Sequence, residues 1–477
     1  MKFQESAPKN HVLCVDLDGT LIKSDMLLET FLLLAFKSPL KLVLIPFWLL
    51  KGRAYLKKKI ANLITFDPAV LPYNKTFFDF LKQKHASGSK IILTTASDQS
   101  IADSIAIHLG IFDQVIGSNG AINRIGSKKL SIIKEHYDTF DYAGNEIRDL
   151  KLWREAKNSI IVSNKPWLVN RLKKIIKFSN EFVEESNLIK NVLKALRVHQ
   201  WVKNLLLLLP LFLAHKFQDY SAILDSGFAF FSFCFCASAF YIFNDLSDLN
   251  SDRQHPTKKN RPFASGDLSI GTGIMMVPIL LGISILLALK LPGQFFNALI
   301  IYAILTGLYS SYFKKIVVLD VVILSSFYTI RLFAGALAVN VQISQWLLAF
   351  SMFMFLSLAF AKRFSELYAM RERKQSEAKG RGYVSVDLEQ VSQLGSASGY
   401  ISVLVMVLYV NSSEVTALYS SPKLLWLICP LLLYWIGRVW ILAHRGSLHE
   451  DPIIFALKDK ASYIVGILAI SITLFAI

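Results

Sequence analysis

The chain has 477 residues, 53% of them hydrophobic, and a mean hydropathy of +0.43, which together indicate a membrane protein with at least two domains and exclude a single soluble domain. The net charge of +17 predicts contact with anionic lipid head groups first and with anionic substrates second. No nucleic-acid-binding module occurs, and the four cysteines form no CxxC motif and predict no disulfide framework.

The first predicted element is a buried strand. The sequence HVLCVDLDGT, residues 11–20, is an apolar run ending in Asp-x-Asp-Gly-Thr, which is typical of a parallel strand followed by a turn. Ligands bind at the carboxyl ends of such strands. Asp16 is therefore a candidate nucleophile toward phosphorus, and Asp18 a candidate acid/base for the leaving group, with Mg²⁺ offsetting the negative charge. No signal peptide precedes the strand, which predicts a cytoplasmic domain.

Residues 26–75 are predicted to form a helical cap inserted after this strand. The segment is rich in leucine, phenylalanine and lysine, so we expect it to lie on the membrane with its lysines at anionic lipid. A buried cap core is the alternative. A membrane-spanning hairpin is disfavoured because Pro39 and Pro46 divide the apolar run into short pieces.

Two further strands are predicted downstream. KIILTTAS, residues 90–97, contains Thr94 and Thr95, and FDYAGN, residues 140–145, precedes Asp149. The order of these motifs resembles the haloacid dehalogenase-type (HAD) phosphatase superfamily over about the first 170 residues. The resemblance implies an α/β fold: a Rossmann-type parallel sheet with a helical cap.

The HAD resemblance also implies site residues. Asp16 and Asp18 are the implied catalytic residues and metal ligands, Asp149 is a further metal ligand, and Thr95 and Lys129 bind phosphate. Thr94 and Lys128 are the neighbouring alternatives for the last two roles. Asn145 stands where the family usually has an aspartate, which leaves open a scaffold domain without turnover.

The second half of the chain is predicted to span the membrane about nine times. The apolar segments begin near Trp201, Ala222, Gly271, Gln294, Ile316, Gln345, Leu394, Lys423 and Ala461. The predicted domains are a HAD-like domain at 1–180, a linker at 181–196 and a transmembrane transferase domain at 197–477. Two basic loops, at 244–262 and 361–383, place their side of the membrane in the cytoplasm.

An aspartate-rich motif follows the second apolar segment. Asp245, Asp248 and Asp252 are spaced i, i+3 and i+7, which predicts one helix face and a Mg²⁺ site shared with substrate phosphates. The cations that follow are expected to neutralise the remaining phosphate charge; they are Arg253, Lys258, Lys259 and Arg261. The design predicts binding of a metal-bound diphosphate at the membrane surface.

This Asn-Asp-x-x-Asp-x-x-x-Asp motif resembles the UbiA superfamily of intramembrane prenyltransferases, from about Leu193 to the C-terminus, which implies an all-α polytopic membrane domain. The second aspartate-rich motif of that superfamily is absent, and Lys362, Arg363 and Glu366 stand in its place. The stretches LRVHQWVKN, DRQHPTKKNRPFASG and AKRFSEL are similar to decaprenyl-phosphate phosphoribosyltransferase-type enzymes. That branch transfers 5-phosphoribose from phosphoribosyl diphosphate (PRPP) to a polyprenyl phosphate.

The UbiA resemblance implies catalytic roles for Asp245 and Asp248, and metal binding by these two and Asp252. The implied substrate-binding residues are Arg197, Lys203, Asn244, Lys258, Arg261, Lys314, Arg331, Lys362, Arg363 and Glu366. Asp320 and Arg331 lie eleven residues apart in one apolar segment and so share a helix face. They are predicted to be either a structural pair or a pocket wall in which Arg331 faces substrate phosphate.

The predicted function is Mg²⁺-dependent phosphoribosyl transfer to polyprenyl phosphate in the bacterial plasma membrane. The HAD domain would then remove the 5-phosphate and supply lipid-linked ribose or arabinose for cell-surface glycans. The alternative is a polyprenyl diphosphate:aromatic acceptor prenyltransferase with a non-catalytic HAD scaffold. A HAD phosphatase acting on an unrelated soluble substrate is a third interpretation.

Overall fold

The computed structural model describes residues 11–122, 124–184, 187–372, 381–448, 455–456 and 458–477. The chain divides into two compact units. The first consists of Met1–Arg197 and Tyr241–Pro278, and the second of Val198–Phe240 and Ile279–Ile477. The domain bounds that the sequence suggested stay a prediction.

The first unit contains a six-stranded parallel sheet, as the sequence predicted. The strands are β1 (His11–Asp16), β2 (Lys90–Asp98), β3 (Gln114–Ser118), β4 (Thr139–Gly144), β5 (Ser159–Ser163) and β6 (Asn180–Val183). Their order is β3-β2-β1-β4-β5-β6, with every pairing parallel. The chain changes direction across the sheet at β1 and β4, and ligands bind at such a switch point.

Helices cover both faces of the sheet. They are α1 (Met26–Lys37), α2 (Ile45–Leu50), α3 (Arg53–Ala61), α4 (Lys75–Ala86), α5 (Gln99–Leu109), α6 (Ser127–His136), α7 (Leu150–Glu155), α8 (Pro166–Lys173) and α9 (Leu188–Leu196). Strand β1 shows why its sequence is apolar throughout. Leu13 and Val15 pack into one core cluster, while Val12 and Cys14 pack into another.

The insertion between β1 and β2 begins with α1 and continues as the apolar helical segment Pro39–Leu50. Several large side chains of that segment are exposed: Leu40 by 87%, Phe47 by 61% and Leu50 by 86%. Water disfavours such a contiguous apolar surface, so this patch is suited to contact lipid. A completely buried cap core, the alternative interpretation of this segment, is wrong.

Within the described residues, seven helices are long and apolar enough to cross a membrane. They are Tyr220–Ser247, Ile270–Ala288, Gly293–Ser311, Leu319–Ala338, Gln345–Glu372, Ser385–Val410 and Pro422–His444. The predicted count of about nine included two further segments. These form the shorter apolar helices Val198–Leu213 and Lys460–Ala476. The first of the two is largely 3₁₀ helix, and the second has 17 residues.

The helices of this part of the chain are α10 (Leu209–Leu213), α11 (Tyr220–Ser247), α12 (Leu249–Gln254), α13 (Ile270–Ala288), α14 (Gly293–Ser311), α15 (Leu319–Ala338), α16 (Gln345–Glu372), α17 (Leu388–Val410), α18 (Ser413–Leu418), α19 (Ile428–His444) and α20 (Lys460–Ala476). Close packing of α17 and α19 depends on Gly395. A Cβ atom there would lie 2.2 Å from the Trp440 ring, so only glycine fits without a shift.

Candidate functional site

In the first unit, the carboxylate that ends β1 lies against a buried lysine. Lys129 of α6 donates a hydrogen bond from Nζ to Asp16 Oδ1 at 2.8 Å and another to Tyr142 Oη at 3.2 Å. Tyr142 in turn donates to Asp149 Oδ1 at 3.0 Å. The sequence therefore brings four polar side chains from β1, α6, β4 and the turn after β4 into one connected network.

Asp18 is held by donors from three directions. Its Oδ1 accepts the backbone N–H of Met26 at 2.7 Å, and its Oδ2 accepts the Ser97 hydroxyl at 2.9 Å. Thr95 Oγ1 lies 3.5 Å from the same Oδ2. The insertion thus fixes one side of this carboxylate through the first residue of α1, while β2 fixes the other.

The turn between β1 and α1 depends on Gly19. Its φ of +72° is left-handed, and the Asn145 side chain packs where a Cβ atom would stand, with Nδ2 only 1.9 Å from that position. Asn145 therefore reaches the same end of the sheet as Asp18, which is the place that the sequence predicted for it.

Burial shifts the protonation of both carboxylates. It raises the pKa of Asp16 to about 7, against the charge of Lys129, and it raises the pKa of Asp18 to about 6, with the charge of Asp25 adding to the effect. Burial alone would lower the pKa of Lys129, but the charges of Asp16 and Asp149 hold it above its usual value. Lys129 therefore remains a cation beside the candidate nucleophile.

Asp149 has a different environment from the one expected of a metal ligand. Its Oδ2 accepts the backbone N–H groups of Asn145 and Glu146, both at 3.0 Å, and its Oδ1 accepts the Tyr142 hydroxyl. These contacts favour a turn-capping role. In the described part of the chain no three His, Cys, Asp or Glu side chains are grouped to hold a metal ion, so metal binding here stays a prediction.

The structure distinguishes between the neighbouring alternatives in two motifs. Thr94 donates to Val15 O at 3.3 Å within the sheet, whereas Thr95 faces Asp18. Lys128 is exposed, whereas Lys129 is 4% exposed and bonds Asp16. In both motifs the geometry favours the residue that the family resemblance named first.

Sequence reasoning missed three residues of this site. Ser97 bonds Asp18, Tyr142 connects Lys129 to Asp149, and Lys57 of α3 donates to Ala96 O at 2.6 Å. Burial lowers the pKa of Lys57. The position of Ser97, two residues after Thr95 at a strand end, was a usable signal. Lys57 had none, because it belongs to the insertion.

The aspartate-rich motif also lies in the first unit, and arginines connect its carboxylates. Asp245 Oδ1 accepts from Arg197 Nη2 at 2.5 Å and from Arg261 Nη1 at 3.0 Å. The same Arg261 Nη1 lies 2.6 Å from Asp252 Oδ2, and Lys258 Nζ is 4.0 Å from Asp252 Oδ1. The buried carboxylates are therefore neutralised by cations from both sides of the motif.

The expectation that three aspartates share one helix face is wrong. Helix α11 ends at Ser247 and α12 begins at Leu249, so Asp248 is the cap residue between two helices. Its carboxylate contacts Ser247 Oγ at 3.4 Å and does not join the arginine-bonded pair. The residues offer the oxygen ligands that Mg²⁺ prefers, but in this conformation Arg261 bridges the two buried carboxylates.

Arg253 was expected to neutralise substrate phosphate, and the structure gives it another partner. Its guanidinium forms a two-point ion pair with Glu29 of α1, and both side chains are buried. The cation is therefore fully paired with a carboxylate, which is why it is unsuited to bind phosphate.

In the second unit, the position of the missing second aspartate motif holds a charge network. Arg363 Nη2 lies 2.6 Å from Asp320 Oδ2, and Arg363 also pairs with Glu366 in its own helix. Asp320 Oδ1 accepts the Tyr383 hydroxyl at 2.7 Å. Arg381 approaches Asp320 at 3.7 Å and Glu366 at 3.5 Å. Residues 373–380 of the predicted basic loop lie outside the described residues.

Arg331 and Asp320 share α15 but are not partners. Arg331 donates from Nε to Asn204 Oδ1 at 2.7 Å, from Nη1 to Phe327 O at 2.6 Å, and from Nη2 to Tyr302 Oη at 2.9 Å. With its donors used inside a packed core, Arg331 is suited to join helices. This geometry disfavours both the predicted contact with substrate phosphate and the predicted pair with Asp320.

The remaining predicted binding residues divide between the units. Asn244 belongs to the first unit with the aspartates, while Lys203, Lys314 and Lys362 belong to the second. Lys203 Nζ stands 5.9 Å from the centre of the Tyr328 ring. Lys314 lies in the 3₁₀ turn Phe313–Lys315, and Lys362 is half-buried in α16. Their roles toward substrate stay predictions.

Comparison with known proteins gives three relatives that illustrate the range. The chain is 38% identical over 464 residues to the uncharacterized protein y4nM of Sinorhizobium fredii, covering 96% of this chain and 90% of that one. It is 35% identical over 276 residues to nodulation protein NoeC of Azorhizobium caulinodans, covering 57% and 88%. It is 39% identical over 185 residues to a decaprenyl-phosphate phosphoribosyltransferase of Corynebacterium glutamicum, covering 38% and 56%.

Among solved structures, a UbiA homolog from Archaeoglobus fulgidus bound to DMAPP and Mg²⁺ is 17% identical, with 60% of this chain and 98% of that chain covered and a TM-score of 0.47. The model of the UbiA prenyltransferase family matches residues 206–458. This match spans more than half of the chain and includes the aspartate-rich motif, so the chain belongs to the UbiA prenyltransferase family.

Proposed function

We propose that this membrane protein transfers 5-phosphoribose from PRPP to a polyprenyl phosphate. The observation that carries the proposal is the 33–39% identity to decaprenyl-phosphate phosphoribosyltransferases over 185–187 residues. The local chemistry supports it. The family's second acidic motif is replaced by Arg363 and Lys362, and such cations suit a phosphate that is bound without a second metal.

The donor diphosphate binds at the aspartate-rich motif. Asp245, Asp248 and Asp252 would hold Mg²⁺, which offsets the charge of the leaving diphosphate. Arg197 and Arg261 now bond Asp245, and we infer that they transfer to diphosphate oxygens when substrate arrives. The arginines thus keep the buried carboxylates neutralised before the donor binds.

In the transfer step, the bond between ribose C1 and the diphosphate oxygen breaks, and diphosphate leaves with the bonding electrons. An oxygen of the polyprenyl phosphate attacks the oxocarbenium-like C1 and forms the new C–O bond. The phosphates are held by the cations that the resemblance named outside the buried pairs, namely Lys203, Lys258, Lys314 and Lys362.

We further propose that the N-terminal domain is a HAD phosphatase that removes the 5-phosphate from the lipid product. Asp16 attacks phosphorus, Asp18 gives a proton to the departing 5-oxygen, and water then hydrolyses the aspartyl phosphate. Lys129 and Thr95 stand beside these carboxylates and suit phosphate binding. The basic loops favour a cytoplasmic location for both sites.

The second candidate function is prenylation of an aromatic acceptor with a scaffold domain in front. Its support is 37% identity over 79 residues, 17% of this chain, to a 4-hydroxybenzoate octaprenyltransferase of Legionella pneumophila. Asn145 in place of an aspartate would also suit a domain without turnover. The lower coverage makes this the weaker candidate.

The deciding experiment supplies the purified protein with Mg²⁺ and each pair of substrates. Radiolabelled PRPP and polyprenyl phosphate should give a labelled lipid, while polyprenyl diphosphate and 4-hydroxybenzoate should give no product. Formation of the prenylated aromatic acid without ribosyl lipid would establish the second candidate in place of the first.

A further inference from the structure

A polar cleft of about 450 Å³ lies within the first unit and begins at Asp18 and Gly19. From there it extends past the turn after β4 to helix α9 and the residues that precede α13, including Asp267. Its size is in the range of small-ligand sites. The cleft therefore connects the carboxylates at the end of β1 with the chain segment that carries the aspartate-rich motif.

The lining of this cleft has the chemistry of a sugar site. Five amide side chains border it, those of Asn74, Asn145, Asn164, Asn187 and Asn191. An amide both donates and accepts hydrogen bonds, and so does a sugar hydroxyl. A metabolite that carried only phosphate would not need so many neutral amides.

Lysines line the same cleft at the end away from Asp18. Lys190 and Lys194 lie one turn apart on α9, so their side chains share a face. Lys194 Nζ donates to Asn260 O at 2.6 Å, and within the described residues the Lys190 ammonium forms no ion pair. Two ammonium groups on one face suit a phosphate oxygen.

We propose that this cleft binds the phosphoribosyl head group of the lipid, with the ribose among the amides. Its 5-phosphate lies at Asp16, Asp18 and Lys129, and its 1-phosphodiester lies at Lys190 and Lys194. The inference rests on the proposed function and deepens it, because the cleft would make the phosphatase specific for the product of the transfer step.

The position of α9 explains how the product reaches this cleft. Arg197 directly follows α9, three residues after Lys194, and it bonds Asp245 of the donor site. A phosphate released from the aspartate-rich motif therefore meets the lysines of α9 first. The 5-phosphate end of the same head group then points along the cleft toward Asp18.

The test compares two soluble head-group probes by titration calorimetry on the full chain. Ribose 1,5-bisphosphate carries both phosphates, whereas ribose 5-phosphate lacks the group expected at Lys190. The background is Asp16→Asn with Asp245→Asn, which prevents turnover and disables the donor site. We expect the bisphosphate to bind about tenfold more tightly, the gain of one charge-assisted contact.

Lys190→Gln in this background should abolish the tenfold gain and leave the affinity for ribose 5-phosphate within about twofold. Lys174→Gln, a lysine at the end of α8 that does not line the cleft, is the matched control and should keep the gain. Equal affinity for the two probes, no binding of either, or a gain that survives Lys190→Gln would overturn the proposal. Loss of the gain on restoring wild-type Asp245 would do so as well.

These failures are distinguishable from failure of the proposed function. The glycolipid assay with PRPP tests the transfer step without reference to the cleft, and the titration tests the cleft without turnover. A protein that makes ribosyl lipid but shows no tenfold gain would retain its proposed transferase function and lose only the cleft assignment.

Discussion

Arg253 and Glu29 form a buried two-point ion pair across 224 positions of the chain, with Nη1 to Oε2 at 3.1 Å and Nη2 to Oε1 at 2.6 Å. The two side chains are 5% and 4% exposed, and Arg253 Nε also donates to Ala264 O. Glu29 lies in α1 of the insertion, and Arg253 directly follows Asp252. The pair therefore anchors the aspartate-rich motif to the N-terminal domain.

Breaking this pair from one side should destabilise the first unit strongly. Glu29→Leu leaves a buried, uncompensated guanidinium, which costs about 3–5 kcal/mol. The double variant Glu29→Leu with Arg253→Met should recover most of that loss because no charge remains buried. Denaturant unfolding followed by tryptophan fluorescence measures both. The exposed pair Lys134–Glu155 is the control, where Glu155→Gln should cost at most about 1 kcal/mol.

Asp245→Asn should lower the rate of glycolipid formation at least a hundredfold, because removing one preorganised electrostatic contact at a transition state costs about 3–4 kcal/mol. Asp248→Asn should have a similar effect through the metal. Asp252→Asn should matter less if that residue acts through water. Initial rates with labelled PRPP measure this, and the exposed Asp138→Asn serves as control. Normal rates for Asp245→Asn and Asp248→Asn at ordinary Mg²⁺ would remove the motif from the mechanism.

Asp16→Asn should accumulate lipid that still carries the 5-phosphate, because an amide is a poor nucleophile toward phosphorus. Wild-type protein should yield the dephosphorylated ribosyl lipid, and both proteins should consume PRPP at the same rate. Mass spectrometry of the extracted lipids separates the two products. If wild type and variant both release only the phosphorylated lipid, the domain is a scaffold, as Asn145 allows.

The exposed apolar segment of the insertion should lie in the membrane. An environment-sensitive fluorophore on Leu50→Cys should emit at shorter wavelength in proteoliposomes and be quenched by brominated lipid. The same label on Ile107→Cys of α5 is the matched control, since Leu50 and Ile107 are 86% and 82% exposed. The four native cysteines are buried. Equal quenching at the two positions, or none at Leu50→Cys, contradicts membrane contact.

Arg331→Lys should reduce stability and leave donor binding nearly unchanged. A lysine cannot reproduce contacts with Asn204, Phe327 O and Tyr302 together, so buried acceptors lose their partners at a cost of about 1–3 kcal/mol. Thermal unfolding in detergent should show the loss, while KM for PRPP stays within about twofold. A large rise in KM with unchanged unfolding would restore the predicted contact with substrate phosphate.

Local signals in the sequence determined much of this protein. An apolar run followed by turn residues identified β1 and placed Asp16 and Asp18 at its end, and the same logic located β2 and β4. Seven of the nine predicted spans are helices of spanning length in the described residues, because length and hydrophobicity are local properties. The parallel sheet and the membrane character follow from such patterns alone.

Tertiary structure decided which charged groups are paired. Helical spacing suggested that Asp320 faces Arg331, yet Asp320 lies against Arg363 of α16, and Arg331 bonds Asn204 instead. In the same way, Arg253 looked like a phosphate ligand and is paired with Glu29. A buried charge takes the partner that packing brings within reach, and that partner can be hundreds of residues away. The spacing of residues within one helix cannot encode this choice, because it depends on how separate elements pack.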